Sequence, residues 1–324
     1  MDERRIDRRE FLRRAGATGL AVAGVTAGAL YLHGRRPGGL DGAVRRLKRY
    51  DVVLGPSEAR MAIARGKSPE GLARAAVGAM GGMERFVRKG DVVLIKPNVA
   101  FDRAPSLGAT TNPETLAAVV RLCLEAGARK ALVTDNPINQ PEGCFRKSGV
   151  ERAAAEAGAT LVYPRAGAFE EVFVGGEAIG TWPMLYAPLK EATKVIGVAP
   201  CKDHNLCGAS MTMKNWYGLL GGRRNQFHQD IHGVIADFAH LIRPTLVFLD
   251  ATRVLMRNGP TGGSLGDVAP ADTVVCGVDM VAVDAFGYTL LGRDDEGPDY
   301  LRRAHARGLG NRDWKALHYR EVQV

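Results

Sequence analysis

Short apolar runs alternate with longer amphipathic segments along most of the chain, most clearly from Gly90 onwards. The runs DVVLIKPN, KALVTDNP and TLVYPR predict strands, and TNPETLAAVVRLCLEAGA and CFRKSGVERAAAEAGA, which lie between them, predict helices. Continuous apolar strands separated by helices are typical of a parallel sheet that is covered on both faces. The pattern therefore predicts an α/β fold with a mainly parallel sheet and helices on both faces.

The pattern extends in both directions from this region. DVVLGP, at residues 51–56, predicts a first short strand, and SPEGLARAAVGAMGGMERFV predicts a helix that begins after Ser68. Downstream, ATKVIGVAP and PTLVFLDAT predict strands, MTMKNWYGLLG a helix or turn, and DIHGVIADFAHLI an amphipathic helix. TVVCGVDMVAVDAFGYTLLG predicts a strand that runs into a helix.

The alternation is lost between residues 165 and 190, where EEVFVGG and TWPMLYAP predict a hairpin or a small irregular β insertion. No clean break divides the chain, so residues 51–324 are predicted to form one α/β domain. If this domain has two lobes, their boundary is expected near 165–190. Residues 30–50, rich in Gly and Arg, predict a polar linker before the domain.

Residues 1–29 have the features of an export signal. Several arginines precede ATGLAVAGVTAGALYL, an apolar stretch too short and too rich in Gly and Ala for a membrane span. The pair Arg8-Arg9, followed by Phe11, resembles the twin-arginine signals, although Asp7 stands where these usually have Ser or Thr. The resemblance implies export by the twin-arginine translocation machinery to a periplasmic or other extracytoplasmic location. A basic amphipathic anchor is the alternative, and a retained segment would act as a membrane tether.

The amino-acid composition limits the kinds of molecule that the protein is expected to bind. The net charge is +9, but the basic residues are scattered and aromatic residues make up only 6%. Nucleic-acid surfaces need clustered basic or stacking side chains, so we expect no nucleic-acid partner and instead a small anionic ligand. The five cysteines include no C-x-x-C pair, and we expect no self-contained iron–sulfur cluster.

Polar side chains follow several of the predicted strands. Because ligands bind beyond the carboxyl ends of strands in open α/β sheets, these side chains are predicted to share one rim. The lysines would hold a phosphate or carboxylate, and the aspartates would bind metal, act as a general base or pair with the lysines. Alternatively, the lysines merely reach water and the aspartates cap helices or turns. The residues are Lys96, Asn98, Asp135, Lys202, His204, Lys214, Asn215, Asp250 and Asp284.

The loop GPTGGSLG, at residues 259–266, is rich in glycine. The backbone N–H groups of Gly262 and Gly263 would approach an anion closely, because glycine has no side chain to keep the anion away. The spacing matches neither a Walker A loop nor a dinucleotide-binding fingerprint. An ordinary flexible turn is the alternative.

The segment CKDHNLC raises the question of a metal site. Cys201, His204 and Cys207 would converge if the segment leaves its strand as a loop, although their spacing is not that of a standard zinc site. His228 and His232 would share one helix face, so a metal ion held by His204, His228 and His232 is one hypothesis. The others are a Cys201–Cys207 disulfide, with His204 contacting the substrate, and two inert thiols.

The assembled motifs resemble the bacterial and archaeal family called domain of unknown function 362. The family has no generally established reaction, so the resemblance supports the polar residues of the rim as site candidates without supplying a substrate. Cys201 and Cys207 lie outside its pattern. The resemblance extends over roughly residues 50–290 and depends on IKPN (95–98), TNPETL (111–116), KDH (202–204), MTMKNWYG (211–218), IADF (235–238), GPTGG (259–263) and VDMVAVDAFG (278–287).

These observations favour an exported enzyme of unknown reaction that acts on a small anionic substrate or cofactor, with a metal ion as a further alternative. The anion would be bound by Lys96, Asn98, Asn215, Gly262 and Gly263, and the catalytic groups would be Lys202, His204, Lys214 and Asp250. The alternative class is a non-catalytic protein that binds or matures a metal or redox cofactor for an exported partner complex.

Overall fold

The computed structural model describes residue 9, residues 44–293 and residues 296–324. The chain divides into two units, Met1–Gly42 and Ala43–Val324. The predicted signal segment, apart from residue 9, and most of the predicted linker lie outside the described residues. The end of that predicted linker is part of the second unit: the Arg45 N–H donates to the Glu171 carbonyl over 2.8 Å and Tyr50 is buried.

Strands and helices alternate through the described residues. The strands are β1 (Met61–Arg65), β2 (Val92–Pro97), β3 (Lys130–Val133), β4 (Thr160–Leu161), β5 (Phe169–Phe173), β6 (Thr181–Leu185), β7 (Lys194–His204), β8 (Gly208–Ser210), β9 (Leu246–Leu255), β10 (Val268–Gly277) and β11 (Tyr319–Gln323). The α-helices are α1 (Pro69–Ala79), α2 (Pro113–Glu125), α3 (Pro141–Lys147), α4 (Val150–Glu156), α5 (Tyr186–Glu191), α6 (Thr212–Asn215), α7 (Ile231–Leu241), α8 (Met280–Thr289) and α9 (Asp299–Ala306).

The large sheet has the strand order β11-β1-β10-β9-β7-β2-β3-β4, and β8 pairs with the end of β7. Pairing is parallel from β9 through β4 and between β1 and β11, whereas β10 is antiparallel to both of its neighbours. β5 and β6 form a separate antiparallel pair. The predicted α/β fold, with a mainly parallel sheet and a small β insertion, is confirmed.

Each face of the large sheet has its own apolar core, because successive side chains of a strand point to opposite faces. Met61 and Ile63 of β1 belong to the core that also receives α7, α8, α9 and the β5–β6 pair. Ala62 and Ala64 belong to the core that receives α1, α2, α3 and α4. The strands are therefore buried on both sides, as their continuous apolar sequences indicate.

Two predicted elements differ in the structure. DVVLGP forms no strand: Val53 is 94% exposed, and the sheet instead begins with MAIAR at β1, whose outer side pairs with β11. CFRKSGVERAAAEAGA forms two helices, α3 and α4, because Gly149 adopts a left-handed conformation with φ of 75° between them. None of the helices in the described part of the chain has the length and apolar character that a membrane crossing requires.

Candidate functional site

Four adjacent parallel strands, in the order β9-β7-β2-β3, run in the same direction, and a cavity of about 200 Å³ lies at the edge where their carboxyl ends meet. The structure brings distant segments together there: Lys96 lies near the end of β2, Asp135 follows β3, and Lys202 and His204 lie near the end of β7. Other predicted residues that line this anion cavity, as we call it, are Asn98, Lys214, Asn215 and His228.

The segment CKDHNLC does not leave its strand as a loop. β7 continues to His204 and turns into β8, with Lys202 opposite Ser210 and His204 opposite Gly208. Since strand side chains alternate, Lys202 and His204 share one face while Cys201 points to the other. The hairpin therefore places Lys202 and His204 on the side that lines the anion cavity and Cys201 on the opposite side.

Lys96 is fully engaged by protein groups. Its Nζ atom lies 2.6 Å from Asp135 Oδ1 and donates to Asn215 Oδ1 over 2.9 Å and to the Pro97 carbonyl over 2.7 Å. These contacts use all three donors of an ammonium group. Burial lowers the pKa of Lys96, and the charge of Asp135 opposes this shift.

Asp135 also holds the surrounding backbone. It accepts N–H groups from Val99 over 2.6 Å and from Asn136 over 2.9 Å. Gly218 passes directly over the Lys96–Asp135 pair: a Cβ atom there would lie 2.0 Å from Asp135 Oδ1 and 2.6 Å from Lys96 Nζ. The glycine is needed because the turn after α6 approaches the ion pair too closely for a side chain.

Lys202 has no carboxylate partner among the described residues. Its Nζ atom donates to Asn98 Oδ1 over 3.1 Å and to the Ala109 carbonyl over 2.6 Å, and lies 5.2 Å from the centre of the Phe101 ring. Burial, reinforced by the charge of Lys214, lowers the pKa of Lys202 to about 7. The lysine is therefore divided between its charged and neutral forms near neutral pH.

Two further cations of the cavity have no carboxylate partner in the described part of the chain. Lys214 Nζ lies 4.8 Å from the centre of the Tyr217 ring, and Arg224 donates to the carbonyls of Leu220 and Pro137 over 3.2 and 2.8 Å. Burial lowers the pKa of both cations. Arg224 was not predicted as a site residue; its only signal in the sequence is the short basic cluster GGRRNQ.

His204 is a neutral hydrogen-bonding group. Its Nδ1 atom accepts the Leu206 N–H over 3.2 Å, which places the ring hydrogen on Nε2. Burial, together with the charges of Lys214 and Lys202, lowers the pKa of His204 to about 2. An imidazole in this form serves as a hydrogen-bond donor at neutral pH.

The three histidines of the predicted metal site do not converge. His228 lines the anion cavity with Nδ1 2.9 Å from the Asn225 carbonyl, but His232 Nδ1 accepts the Tyr300 N–H over 3.3 Å and its ring stacks on Tyr300. Among the described residues, no three His, Cys, Asp or Glu side chains are grouped to hold a metal ion. The predicted set is wrong because α7 turns His232 towards α9.

Asp250 does not line the anion cavity. It is buried within β9, which continues five residues beyond it. Its carboxylate accepts a hydrogen bond from Thr115 Oγ1 over 2.6 Å, and two from Thr252, from the N–H over 2.8 Å and from Oγ1 over 2.6 Å. Burial raises the pKa of Asp250. Its predicted catalytic position is wrong, and the carboxylate instead links β9 to α2.

Asp284 is also displaced from the predicted rim. β10 is antiparallel to β9, and Gly277 at its end pairs with Val247 near the start of β9, so the helix that follows begins at the opposite edge of the sheet. Asp284 accepts the N–H groups of Thr212 and Met213 over 2.8 and 3.0 Å. Burial raises the pKa of Asp284 to about 7. The residue fixes the start of α6, which carries Lys214 and Asn215.

Cys201 and Cys207 form no disulfide. Both thiols are buried and free; Cys201 Sγ lies 3.4 Å from the Gly287 carbonyl and Cys207 Sγ lies 3.2 Å from the Ala209 carbonyl. Burial raises the pKa of both thiols, that of Cys207 to about 11. The inert-thiol interpretation is the one that the structure supports.

The GPTGGSLG loop reaches the anion cavity through different residues from those predicted. Pro260 and Thr261 line the cavity, whereas Gly262 packs on Leu255 and Gly263 has open space around it. Gly259 anchors the loop: its N–H donates to Asp203 Oδ2 over 2.8 Å. The expectation that Gly262 and Gly263 line the site is wrong, because the two residues that follow the anchor, Pro260 and Thr261, are the ones that reach the cavity.

Residues 93–289 match the family described as Domain of unknown function (DUF362). The chain belongs to this family. The match takes in the anion cavity, whose lining residues lie between Lys96 and Thr261. It confirms the resemblance seen in the sequence motifs.

Other proteins similar to this DUF362 chain include the thylakoid-associated protein sll1697 of Synechocystis sp., which is 26% identical over 222 residues. That match covers 63% of this chain and 66% of the relative, just under two thirds of its length. A crystal structure from Thermotoga maritima has a TM-score of 0.32 at 12% identity, covering 61% of this chain and 54% of its own. The lactate racemase apoprotein of Thermoanaerobacterium thermosaccharolyticum has a TM-score of 0.36 at 14% identity, covering 81% and 60%.

Proposed function

We propose that this DUF362 protein is an exported enzyme that binds a small anionic substrate or cofactor in the anion cavity. One observation supports the anionic ligand above all. Lys202, Lys214 and Arg224 line one cavity, and none of them pairs with a carboxylate in the part of the chain that the structure describes.

The physical argument is the cost of removing charge from water. A buried cation is stable only if it is paired or if it loses its proton, and burial lowers the pKa of all three groups. Asp135, the single carboxylate that lines the cavity among the residues that the structure describes, is already bound to Lys96. A bound phosphate or carboxylate would supply the missing negative charge and accept hydrogen bonds from the three cations.

The roles of the residues follow from their contacts. Lys214 and Arg224 would hold the anion, because neither is committed to a carboxylate, and His204 would donate a hydrogen bond from Nε2. Lys202 would serve as the acid–base group, since it changes charge near neutral pH. Lys96 would position Asn215 rather than contact the ligand.

Binding measurements with neighbouring arginines test this proposal. Arg224 lines the cavity, whereas Arg223 is exposed and lies outside it. We expect Arg224→Gln to weaken the binding of inorganic phosphate or acetate, followed by calorimetry, by about tenfold or more. Arg223→Gln is the matched control and should leave the affinity unchanged. Equal effects of both substitutions, or no binding by the wild type, would refute the anion site.

Export is a separate part of the proposal and depends on the sequence of residues 1–29. The twin-arginine pair Arg8-Arg9 precedes a weakly apolar segment, as in export signals. Replacing both arginines by lysine should retain the protein in the cytoplasm of a bacterial host, as measured by cell fractionation. Unchanged distribution between fractions would exclude the twin-arginine route.

The second candidate function is a non-catalytic protein that binds or matures an anionic cofactor for an exported partner complex. The observation that favours it is the full engagement of Asp135, which leaves the anion cavity without a free carboxylate base. Turnover separates the two functions. An enzyme loses turnover on Lys202→Met while the ligand still binds, whereas a binding protein releases its ligand unchanged.

A further inference from the structure

The anion cavity has room for a small group only. Its volume of about 200 Å³ is below the range of about 300–1,000 Å³ that is usual for small-molecule sites. Its cations occupy the inner part, where Lys202 and Lys96 are 1% exposed. A ligand of ordinary size that places a phosphate or carboxylate among these cations would extend out of the anion cavity.

A second cavity adjoins the first. Its volume is about 440 Å³, and it shares the side chains of Phe101, Ile138 and Thr261 with the anion cavity. We call it the outer cavity. Together the two spaces fall in the range of about 300–1,000 Å³ that is usual for small-molecule sites. The shared residues make the outer cavity the continuation of the anion site.

The two cavities share an apolar wall. Phe101 and Ile138 line both of them, and the side chains that line the outer cavity alone include the amides of Asn139 and Gln140. Ile138 is 64% exposed, although a large apolar side chain is usually covered. An apolar group that packs on Ile138 would remove this surface from water.

Charge in the outer cavity is balanced. Arg103 and Asp102 both line it, and Asp102 also lies 3.4 Å from Lys147 in an exposed ion pair. Each sign of charge therefore occurs once in the lining of the outer cavity, in contrast to the excess of cations in the anion cavity. An uncharged group is therefore the better match for the outer cavity.

We infer that the ligand has two parts, an anionic head in the anion cavity and an uncharged, ring-sized apolar group that lies against Phe101 and Ile138. Its chemical class is an organic phosphate ester or carboxylate rather than an inorganic anion. This inference rests on the proposed function, since the anion fixes one end of the ligand.

Pairs of ligands that share a head test the inference. Calorimetry on the full chain would compare inorganic phosphate with phenyl phosphate, and acetate with phenylacetate. We expect the phenyl compound of at least one pair to bind about tenfold more tightly or better, because buried apolar groups of this size discriminate at that level. Equal affinities within both pairs would overturn the inference and leave the anion site standing. Absence of binding by all four compounds would instead refute the proposed function.

Substitution of Ile138 tests the location of the apolar group. Ile138→Ser should remove most of the gain from the phenyl ring and change the affinity for phosphate or acetate much less, because Ile138 borders the anion cavity but has no group that binds an anion. Leu265→Ser is the matched control, since Leu265 is 65% exposed but lines neither cavity. If Ile138→Ser keeps the full gain of the phenyl ring, the outer cavity is not where the ring binds.

Discussion

Two regions of the molecule bury charge in opposite ways. In the anion cavity, Lys202 is buried and Lys214 is half-buried, and neither has a carboxylate partner in the described residues. Elsewhere, three buried aspartates are satisfied by protein donors: Asp237, Asp250 and Asp284 each accept at least three hydrogen bonds from backbone or hydroxyl groups.

This difference indicates that the buried aspartates hold the fold together, whereas the proposed role of the cavity lysines is to bind a ligand. A carboxylate that accepts several N–H and O–H groups fastens distant segments, and the fold depends on it. A cation that is removed from water without a carboxylate partner destabilises the folded protein. Such cations are typical of ligand sites, where the bound ligand supplies the missing negative charge. Removal of one of the buried aspartates should therefore lower stability, and removal of a cation of the anion cavity should lower ligand affinity.

The largest effect is expected at Asp237. Its carboxylate accepts the N–H groups of Glu177, Ala178 and Ile179 over 2.7–3.0 Å and pairs with Arg307 at 2.8 Å. Asp237→Ala removes the fully buried acceptor that these groups share and leaves the buried N–H of Ile179 unpaired, so we expect the free energy of unfolding to fall by about 3–5 kcal/mol. Chemical denaturation measures this loss. Phosphate affinity of the folded variant should be unchanged, because Asp237 does not line the anion cavity.

Glu177 supplies the matched control for this prediction. Its carboxylate also pairs with Arg307, at 3.3 Å, but its side chain is 78% exposed. Glu177→Ala should cost less than about 1 kcal/mol, as for other exposed ion pairs. Similar losses for the two variants would show that burial of the carboxylate is not what makes Asp237 structural.

The pH dependence of stability sharpens the comparison at Asp284. Burial raises the pKa of Asp284 from 3.8 to about 7, so the folded protein binds a proton that the unfolded chain has released between these values. Stability from this group is complete below about pH 4 and is lost as the pH rises to about 7, by at most about 1.4 kcal/mol per pH unit. Urea denaturation at several pH values between 5 and 8 measures the slope.

Asp284→Asn is the control for the pH prediction, because the amide is isosteric and does not titrate. The variant should lack the part of the slope that Asp284 contributes, and its stability relative to the wild type should improve as the pH rises. The same slope in both proteins would mean that Asp284 is ionised in the folded state throughout this range.

How far the sequence predicts the site depends on the direction of each strand. Lys96, Asp135 and Lys202 follow from the sequence, since they lie at or near the ends of parallel strands that share one edge. Asp284 does not, because the apolar run TVVCG has the same character in a parallel and an antiparallel strand. The reversal of β10 becomes visible only in the pairing of Gly277 with Val247.

The other differences between the predicted and the observed site depend on where the folded chain places each side chain. Arg223 and Arg224 are adjacent in a single basic cluster, and only the folded chain shows that one is exposed and the other enters the anion cavity. Cys201 and His204 are three residues apart, which would bring them together in a loop but places them on opposite faces of a continuing strand. The amino-acid sequence alone does not distinguish an exposed arginine from a buried one, or a loop from a continuing strand.

The smallest effect, and the one that separates the two regions most directly, is expected at Lys214. Lys214→Met replaces a half-buried cation by an apolar side chain of similar length that packs on Tyr217. We expect the free energy of unfolding to rise by about 1 kcal/mol, because an unpaired desolvated charge is removed. Phosphate affinity should fall by about tenfold, because the charge no longer meets the anion. Denaturation and calorimetry on the same preparation measure the two changes.

Lys315 provides the comparison for Lys214, since its Nζ atom also lies over an aromatic ring, 5.6 Å from the centre of Trp314, but the residue is exposed. Lys315→Met should change stability by less than about 0.5 kcal/mol and leave phosphate affinity unaltered. If Lys214→Met destabilises the protein while affinity persists, Lys214 is a structural residue. The cations of the cavity would then be satisfied without a ligand, and the contrast with the buried aspartates would disappear.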